Sequence, residues 1–448
     1  MGRAIHPDRR ATTLAQMARL VLLLGAVVAG AVVLVRRASR GSRGPVPRVS
    51  PASARGLVEG VLGRKPVRRQ LTLDFEPATA TSWELLIDGG SFFPRLLEDI
   101  AAATSDIHIL IFGFKAGEIG NQFRDLLVEK AAAGVGVRVI TEAAFSQPAF
   151  GSKAFYDSLV EGGVEVVANE GAFLDLDGPL QDRKIDWRFD DLGHFDHRKV
   201  VIVDGRVGFV GGPGIEDHYA TGTHDLMLRL EGPIVAQLQA VFLLSWHYQG
   251  GSLPAAAEGL DRFFPAVEES VAGVEMEILH NNPGEGHLPI RTAFRDAVDG
   301  ASRRLYVISP YLADHTILRG IVAAARRGVD VRVIVPAEPH SLPAKAAVRH
   351  WFKAMQDAGA DVREHPEMAH AKVVLADDTV LAGTANLDAL SLRQNWEMQL
   401  RIADPTVADR FARALFDRDV EIASPARMPS GLKERAVNAL MSAISPVL

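Results

Sequence analysis

Two short segments of the chain carry the same three reactive side chains at the same spacing. Each follows the pattern His-x-Lys-x4-Asp, and the residues are His197, Lys199, Asp204, His370, Lys372 and Asp377. An imidazole can act as a nucleophile or transfer a proton near neutral pH, and an ammonium group neutralises an anion. A single His-x-Lys is usually a solvated strand end, but its repetition in equivalent places favours one site built from both copies.

The residues within and after each motif indicate how it is positioned. The apolar runs "VVIV" and "VVLA" predict buried strands, and each is followed by a short strand and a Gly-containing turn, "GGPG" or "GTAN". A buried strand is a rigid support for the imidazole and ammonium groups at its mouth. We therefore expect both motifs to present these groups at the end of a strand.

A longer repeat surrounds the motifs. "SDIHILIFGF" and "SRRLYVISPY" predict strands, each followed by a helix that ends at Gly and by a second strand, "VGVRVIT" or "VDVRVIVP". The shared order implies a duplication. We predict two pseudo-symmetric α/β domains, residues 71–255 and 256–430, with the active site at their interface. Each is expected to be a mixed, mostly parallel sheet covered by helices on both faces.

The two ends of the chain predict membrane contact. Leu20–Val35 is 16 residues without a polar side chain, close to the roughly 17–25 residues that span a bilayer. We predict an anchor at residues 1–36, a main body on the cytoplasmic side of the cell membrane, and an Arg/Pro/Gly/Ser-rich linker at residues 37–70. Residues 431–448 form an amphipathic tail whose apolar face is interfacial or packed on the domain. That face is Leu432, Ala436, Leu440, Ala443 and Val447.

Composition excludes several kinds of protein and site. The 448 residues are 48% hydrophobic and 23% charged, with a net charge of −6, which argues against nucleic acid as a partner held by overall charge. The chain has no Cys, so disulfides, zinc-thiolate sites and cysteine nucleophiles are excluded. The remaining histidines, among them His224, show no paired metal-ligand spacing, and no metal or cofactor is predicted.

With both motifs identified, the chain resembles the phospholipase D superfamily, whose members carry two His-x-Lys-x4-Asp motifs. The segments "HDLMLRLEGPIVAQLQAVFLLSW" and "GTANLDALSLRQNWEMQL" are most similar to the bacterial cardiolipin synthase branch. The resemblance covers roughly residues 80–425. It implies an enzyme that acts on a phosphodiester, with an anionic phospholipid and the membrane as its partners.

The resemblance also implies roles for the motif residues. Lys199 and Lys372 would neutralise the phosphate oxygens, one histidine would attack phosphorus, and the other would protonate the leaving alkoxide. In family members the nucleophile is usually the first histidine, so we assign His197 as nucleophile and His370 as acid. The motif aspartates, Asp204 and Asp377, are expected to hold the turn after each strand, away from the phosphate.

Further site residues are predicted by the same resemblance. It implies a carboxylate on the strand after each motif that orients a histidine, and Asp225 and Glu397 lie at matching distances after the motifs. The predicted substrate-binding residues are Gly212, Thr384, Asn386 and Tyr311. The first turn departs from the family, because Gly214 stands where Asn is usual.

Several functions are compatible with these residues. The leading hypothesis is a phosphatidyltransferase that joins two phosphatidylglycerols into cardiolipin. A hydrolytic phospholipase D or another phosphodiesterase, including a nuclease, is the alternative among enzymes. A catalytically impaired lipid-binding member of the family is the alternative outside enzymes.

Overall fold

The computed structural model describes residues 46–62, 71–142, 153–169, 195–253, 259–267 and 272–445. The predicted anchor at residues 1–36 lies outside these ranges. Within them, no helix combines the length and the hydrophobicity that crossing a bilayer requires.

The first described elements fall in the predicted linker and just after it. They are β1 (Arg48–Val49), α1 (Pro51–Leu62), β2 (Asp74–Phe75) and β3 (Ala78–Ala80). Strands β1 and β2 pair in parallel, and Gln237 donates its amide to the carbonyl oxygens of Val49 and Glu76. Residues 48–62 of the predicted linker are therefore folded onto the body of the protein.

Among its described residues, the first half of the repeat contains eight further strands and four α-helices. In chain order they are β4 (Ser82–Ile87), α2 (Gly89–Ala102), β5 (Asp106–Ile111), α3 (Glu118–Ala132), β6 (Gly136–Glu142), α4 (Lys153–Glu161), β7 (Glu165–Asn169), β8 (Val200–Val203), β9 (Val207–Gly211), β10 (Thr223–His224), β11 (Leu226–Glu231) and α5 (Ile234–Tyr248).

The second half follows the same plan. Its elements are β12 (Val274–His280), α6 (Pro289–Gly300), β13 (Arg304–Ile308), α7 (His315–Arg326), β14 (Asp330–Pro336), α8 (Leu342–Asp357), β15 (Asp361–His365), β16 (Met368–Ala369), β17 (Val373–Ala376), β18 (Thr379–Gly383), α9 (Ala389–Arg393), β19 (Met398–Ala403), α10 (Pro405–Phe411), α11 (Arg418–Ile422), β20 (Ser424–Pro425) and α12 (Leu432–Ile444).

The strand orders of the two sheets match. The first sheet runs β4-β11-β9-β8-β5-β6-β7, and the second contains β12-β19-β18-β17-β13-β14-β15, with β3 added beyond β12 and β20 beyond β15. Every strand of the first sheet has a counterpart at the same position of the second, which agrees with the predicted duplication. Strand β3 belongs to the predicted first domain by sequence but pairs with β12 in the second sheet.

The prediction of mostly parallel sheets is wrong. In the first sheet only the pairs β5–β6 and β6–β7 are parallel, and the other four pairs are antiparallel. The second sheet shows the same division. Each motif strand returns through a tight turn to an adjacent antiparallel strand, so it needs no crossover helix. The sheets are mixed and mainly antiparallel.

Both sheets are covered on both faces, as predicted. In β8, Val200 and Ile202 point into a core shared by the two sheets, whereas Val201 and Val203 point into the outer core of the first sheet. Strand β17 divides its side chains in the same way between the shared core and the outer core of the second sheet. Burial on both faces explains why the motif strands are continuous apolar runs.

Helix α12 packs against α8 in an unexpected orientation. Its Asn438 and Ser442 are buried, at 4% and 3% exposure, whereas Leu432 and Leu440 are 82% and 54% exposed. The polar side of this helix therefore faces the protein, and the apolar side predicted from sequence faces outward.

Candidate active site

Backbone hydrogen bonds between the two halves bring the motifs together. The His197 amide donates to the Trp396 carbonyl at 3.0 Å, and the Trp396 amide donates to the Phe195 carbonyl at 3.0 Å. On the other side of the site, β10 pairs in parallel with β16, and the His370 amide donates to the His224 carbonyl at 2.7 Å. Each motif histidine is thus fixed by main chain of the opposite half.

The carboxylates that orient the histidines are exchanged between the halves. Nδ1 of His197 lies 2.9 Å from Glu397 Oε1, and Nδ1 of His370 lies 2.7 Å from Asp225 Oδ2. Both carboxylates are fully buried. With Nδ1 held by an acceptor, Nε2 is the ring atom available for chemistry. The sequence indicated both carboxylates but left open which histidine each would hold.

The two lysines lie against the histidines of their own motifs. Nζ of Lys199 donates to the His197 carbonyl at 2.7 Å and lies 4.9 Å from the centre of the Phe112 ring. Nζ of Lys372 lies 2.6 Å from His370 Nδ1 and 3.1 Å from His370 Nε2, and it donates to the His370 carbonyl. Burial lowers the pKa of Lys199 to about 7 and that of Lys372 to about 8. An anion bound beside these lysines would raise both pKa values again, so the surroundings of both lysines favour the binding of an anion.

Burial and the neighbouring ammonium groups keep both imidazoles neutral. They hold the pKa of His197 well below its ordinary value and lower that of His370 to about 3. A neutral imidazole is the form that attacks phosphorus. A bound phosphate anion would offset the lysine charges and make protonation of one imidazole easier.

The two orienting carboxylates differ in charge. Burial raises the pKa of Glu397 to about 8. Burial also acts to raise the pKa of Asp225, but the charge of Lys372 and the hydrogen bond from His370 outweigh it and hold that pKa below its usual value. Asp225 is therefore the more readily ionised of the two carboxylates and can stabilise a protonated His370. This asymmetry breaks the pseudo-symmetry of the motifs.

Asp204 and Asp377 hold turns and do not contact the histidines. Asp204 has a φ of 52°, and its carboxylate accepts hydrogen bonds from the backbone amides of Thr104, Ser105 and Asp106. Asp377 has the same φ and binds the equivalent backbone amides in the second half. Both residues fix the turn at the far end of the motif strand.

The other predicted residues lie around this cluster. A side chain at Gly212 would overlap the carboxylate of Asp225, so glycine lets the turn approach the pair. The hydroxyl of Thr384 donates to Glu397 Oε2, which places Thr384 behind the carboxylate. Asn386 is 5% exposed, and its Oδ1 has no hydrogen-bond partner among the described residues. The backbone carbonyl of Tyr311 accepts from Leu387 at 3.1 Å.

Two aromatic residues at the site were missed from sequence. The Phe112 ring lies 4.8 Å from the His197 ring, and the Tyr219 ring lies 5.3 Å from the His370 ring. A side chain at Gly214 would contact the Gly113 carbonyl and the Tyr219 ring, so Tyr219 crowds the place where the family has Asn. The sequence position of Tyr219 could have indicated its place at the site, since it follows the Gly-rich turn by only five positions.

Among the described residues, one group could hold a metal ion. It consists of His224, His365 and Asp419, whose ligand atoms lie within 4.8 Å of one another. His224 already bonds Asp88 at 2.7 Å through Nδ1 and Asp419 at 3.1 Å through Nε2. Burial acts to lower the pKa of His224, but these two carboxylates raise it to about 10. The protonated His224 ring thus supplies the positive charge that the two carboxylates stabilise.

Comparison with known proteins identifies the family of the chain. The family described as "Cardiolipin synthase, PLD-like domain" matches residues 96–246 and 294–420. Cardiolipin synthase A of Pseudomonas entomophila is 31% identical over 377 residues, 82% of this chain and 74% of the relative. Cardiolipin synthase 1 of Bacillus cereus is 30% identical over 83% of this chain and 73% of the relative.

A solved structure shares the fold. The phosphatidylserine synthase of Haemophilus influenzae superposes with a TM-score of 0.62 at 13% sequence identity, and the match covers 89% of this chain and 100% of that one. Together with two matched segments that each contain one His-x-Lys motif, these likenesses show that the chain belongs to the phospholipase D superfamily, in the family of cardiolipin synthase PLD-like domains.

Proposed function

We propose that the protein is a membrane-anchored phosphatidyltransferase that joins two phosphatidylglycerols into cardiolipin and releases glycerol. The observation that carries this proposal is the buried cluster of two His–Lys pairs, each histidine held by a carboxylate of the other half. Such a cluster can bind one phosphodiester and transfer protons on both sides of it. The relatives named cardiolipin synthase supply the substrate class, a phospholipid.

In the first step, Nε2 of His197 attacks phosphorus. An N–P bond forms, the bond from phosphorus to the glycerol headgroup oxygen breaks, and His370 in its protonated form gives its proton to that oxygen. Lys199 and Lys372 neutralise the charge on the phosphoryl oxygens. Glycerol leaves, and the phosphatidyl group remains on His197.

The second step uses the same groups in reverse. The primary hydroxyl of a second phosphatidylglycerol approaches phosphorus, and the now neutral His370 accepts its proton. The new O–P bond forms, the N–P bond to His197 breaks, and cardiolipin is released. Since protons and bonds balance over the two steps, the proposed reaction needs no redox partner or nucleotide.

The difference between the carboxylates supports the assignment of roles. An ionised Asp225 stabilises the imidazolium that His370 must become, and burial beside the two motif lysines keeps His197 neutral for attack. The near-complete burial of both imidazoles, whose side chains are 12% and 10% exposed, favours a lipid alcohol over water as the acceptor.

The test is product analysis on vesicles of pure phosphatidylglycerol. We expect cardiolipin and free glycerol in about equal amounts, with phosphatidic acid as a minor product. The His197→Asn variant is the matched control and should form none of the three. If phosphatidic acid dominated at every lipid density, the protein would be a hydrolytic phospholipase D. If no product formed, the impaired lipid-binding alternative would stand.

A further inference from the structure

The orientation of α12 is the reverse of what a helix packed on a globular domain normally shows. Its apolar residues recur on one face, and those at Leu432, Ala436 and Leu440 are exposed. The buried side is polar and contains Asn438 and Ser442. Single exposed leucines need no explanation, but a whole helix face of this kind indicates an interaction surface.

Specific polar contacts fix this orientation. His315 Nε2 lies 2.8 Å from the Ser442 carbonyl, and the Trp351 indole donates to the Ser442 hydroxyl at 3.0 Å. The hydroxyl of Ser445 donates to the Ala313 carbonyl at 3.2 Å. Because these partners lie on one side of the helix, its rotation is set and the apolar face is directed outward.

The end of α12 is connected to the active site. The amides of Ala313 and Asp314 both donate to the Leu387 carbonyl at 2.8 Å, and the Leu387 amide donates to the Tyr311 carbonyl. Leu387 directly follows Asn386 in the predicted phosphate-binding turn. Two short hydrogen-bonded segments therefore link the helix to the site.

We propose that the exposed face of α12, formed by Leu432, Ala436, Val437 and Leu440, docks on the surface of an anionic phospholipid bilayer beside the active site. This inference rests on the proposed function, because a lipid substrate places the opening of the site at a bilayer. Exposed Lys433 and Arg435 border the apolar face and complement anionic headgroups. Docking would hold the turn at Asn386 close to the headgroups.

The experiment uses the absence of cysteine from the chain. Leu440→Cys introduces a single thiol that can carry an environment-sensitive fluorophore on the full-length protein. Val160→Cys is the matched control, since Val160 is also an exposed apolar residue, at 57%, but lies on α4 of the first half. Anchoring by any other segment affects both labelled proteins equally.

With vesicles of phosphatidylglycerol, we expect a blue shift and stronger emission from the label at position 440 and no change at position 160. Equal, water-like emission at both positions on vesicles would overturn the proposal. A label at 440 that is already in apolar surroundings without vesicles would also overturn it, because another part of this chain or a second copy would then cover the face.

A second variant measures the effect on turnover. Leu432→Ser with Leu440→Ser should lower turnover of phosphatidylglycerol in vesicles several-fold and leave turnover in detergent micelles unchanged. An equal loss in both, or in neither, would contradict docking. If the unmodified protein turned over no phosphatidylglycerol at all, the proposed function would fail, whereas the fluorescence result would still decide the docking of α12.

Discussion

Replacing each orienting carboxylate by its amide tests the assignment of nucleophile and acid. In the protein, Asp225 Oδ1 accepts the Leu226 amide at 2.8 Å, and Oδ2 faces Nδ1 of His370 at 2.7 Å. In Asp225→Asn the oxygen must stay with Leu226, so the amide nitrogen would face His370. It would donate to Nδ1 and select the tautomer with the proton on Nε2, and the imidazolium would lose its ionic partner.

The expected loss follows from the charge of that hydrogen bond. A hydrogen bond to a charged group contributes about 1.5–3 kcal/mol, which corresponds to roughly a 10- to 150-fold lower kcat. Glu397→Gln should cost much less, because a pKa of about 8 leaves Glu397 mostly neutral at pH 7. The Thr384 hydroxyl, which donates to Glu397, can rotate to accept from the amide. We expect kcat to fall roughly 2- to 5-fold, which corresponds to a hydrogen-bond contribution of about 0.5–1 kcal/mol.

The assay is the initial rate of glycerol release from phosphatidylglycerol in mixed micelles at pH 7, with thermal unfolding to show that both variants are folded. We expect a much larger loss for Asp225→Asn than for Glu397→Gln. An equal or larger loss for Glu397→Gln would refute the assignment, because Glu397 would then be the ionised partner and His197 the acid.

Three further predictions concern neighbouring groups. Lys199 is cationic below its pKa of about 7 and neutral above it, so kcat/KM should fall as the pH rises through this value, and Lys199→Arg should move the fall to higher pH in a pH–rate profile. Asp204→Ala removes hydrogen bonds to three backbone amides and the Thr104 hydroxyl, and urea denaturation should show a loss of about 2–4 kcal/mol with little change in the kcat of the folded protein. Gly212→Ala places a methyl group against the Asp225 carboxylate and should lower kcat at least about 10-fold, whereas Gly60→Ala, at a glycine with nothing within 4 Å of an added methyl, should leave kcat unchanged; equal rates for the two variants would contradict the close packing at Gly212.

Much of the fold followed from the sequence because it depends on local patterns. The repeated strand–helix–strand units and the apolar motif strands were sufficient to predict two α/β halves of the same plan. These patterns did not predict the proportion of parallel strand pairs, since that proportion depends on which neighbour a strand pairs with after its turn. The tight turns at Asp204 and Asp377 send the chain back beside the motif strand, and each has an Asp at a positive-φ position, although Gly205 follows Asp204 with a φ of 63°.

The site was predictable in its members but not in its pairing. Each carboxylate was indicated by its distance from a motif, yet which histidine it holds is decided by the contact of the two halves. Nothing local to Asp225 distinguishes His197 from His370 as its partner. The network of His224, Asp88 and Asp419 was equally hidden, because its members lie far apart along the chain.

Because each half supplies the carboxylate that holds the other half's histidine, the exchange matters while the chain is being synthesised. A ribosome makes His197 long before Glu397, and Asp225 is made long before His370. The first half alone therefore has a histidine without its acceptor and a carboxylate without its histidine. With the proposed mechanism, a nascent or truncated chain would lack an assembled site, and cleavage and separation of the halves would leave two inactive fragments. Mixing such fragments would restore turnover only to the extent that they dock, so catalysis itself would report assembly.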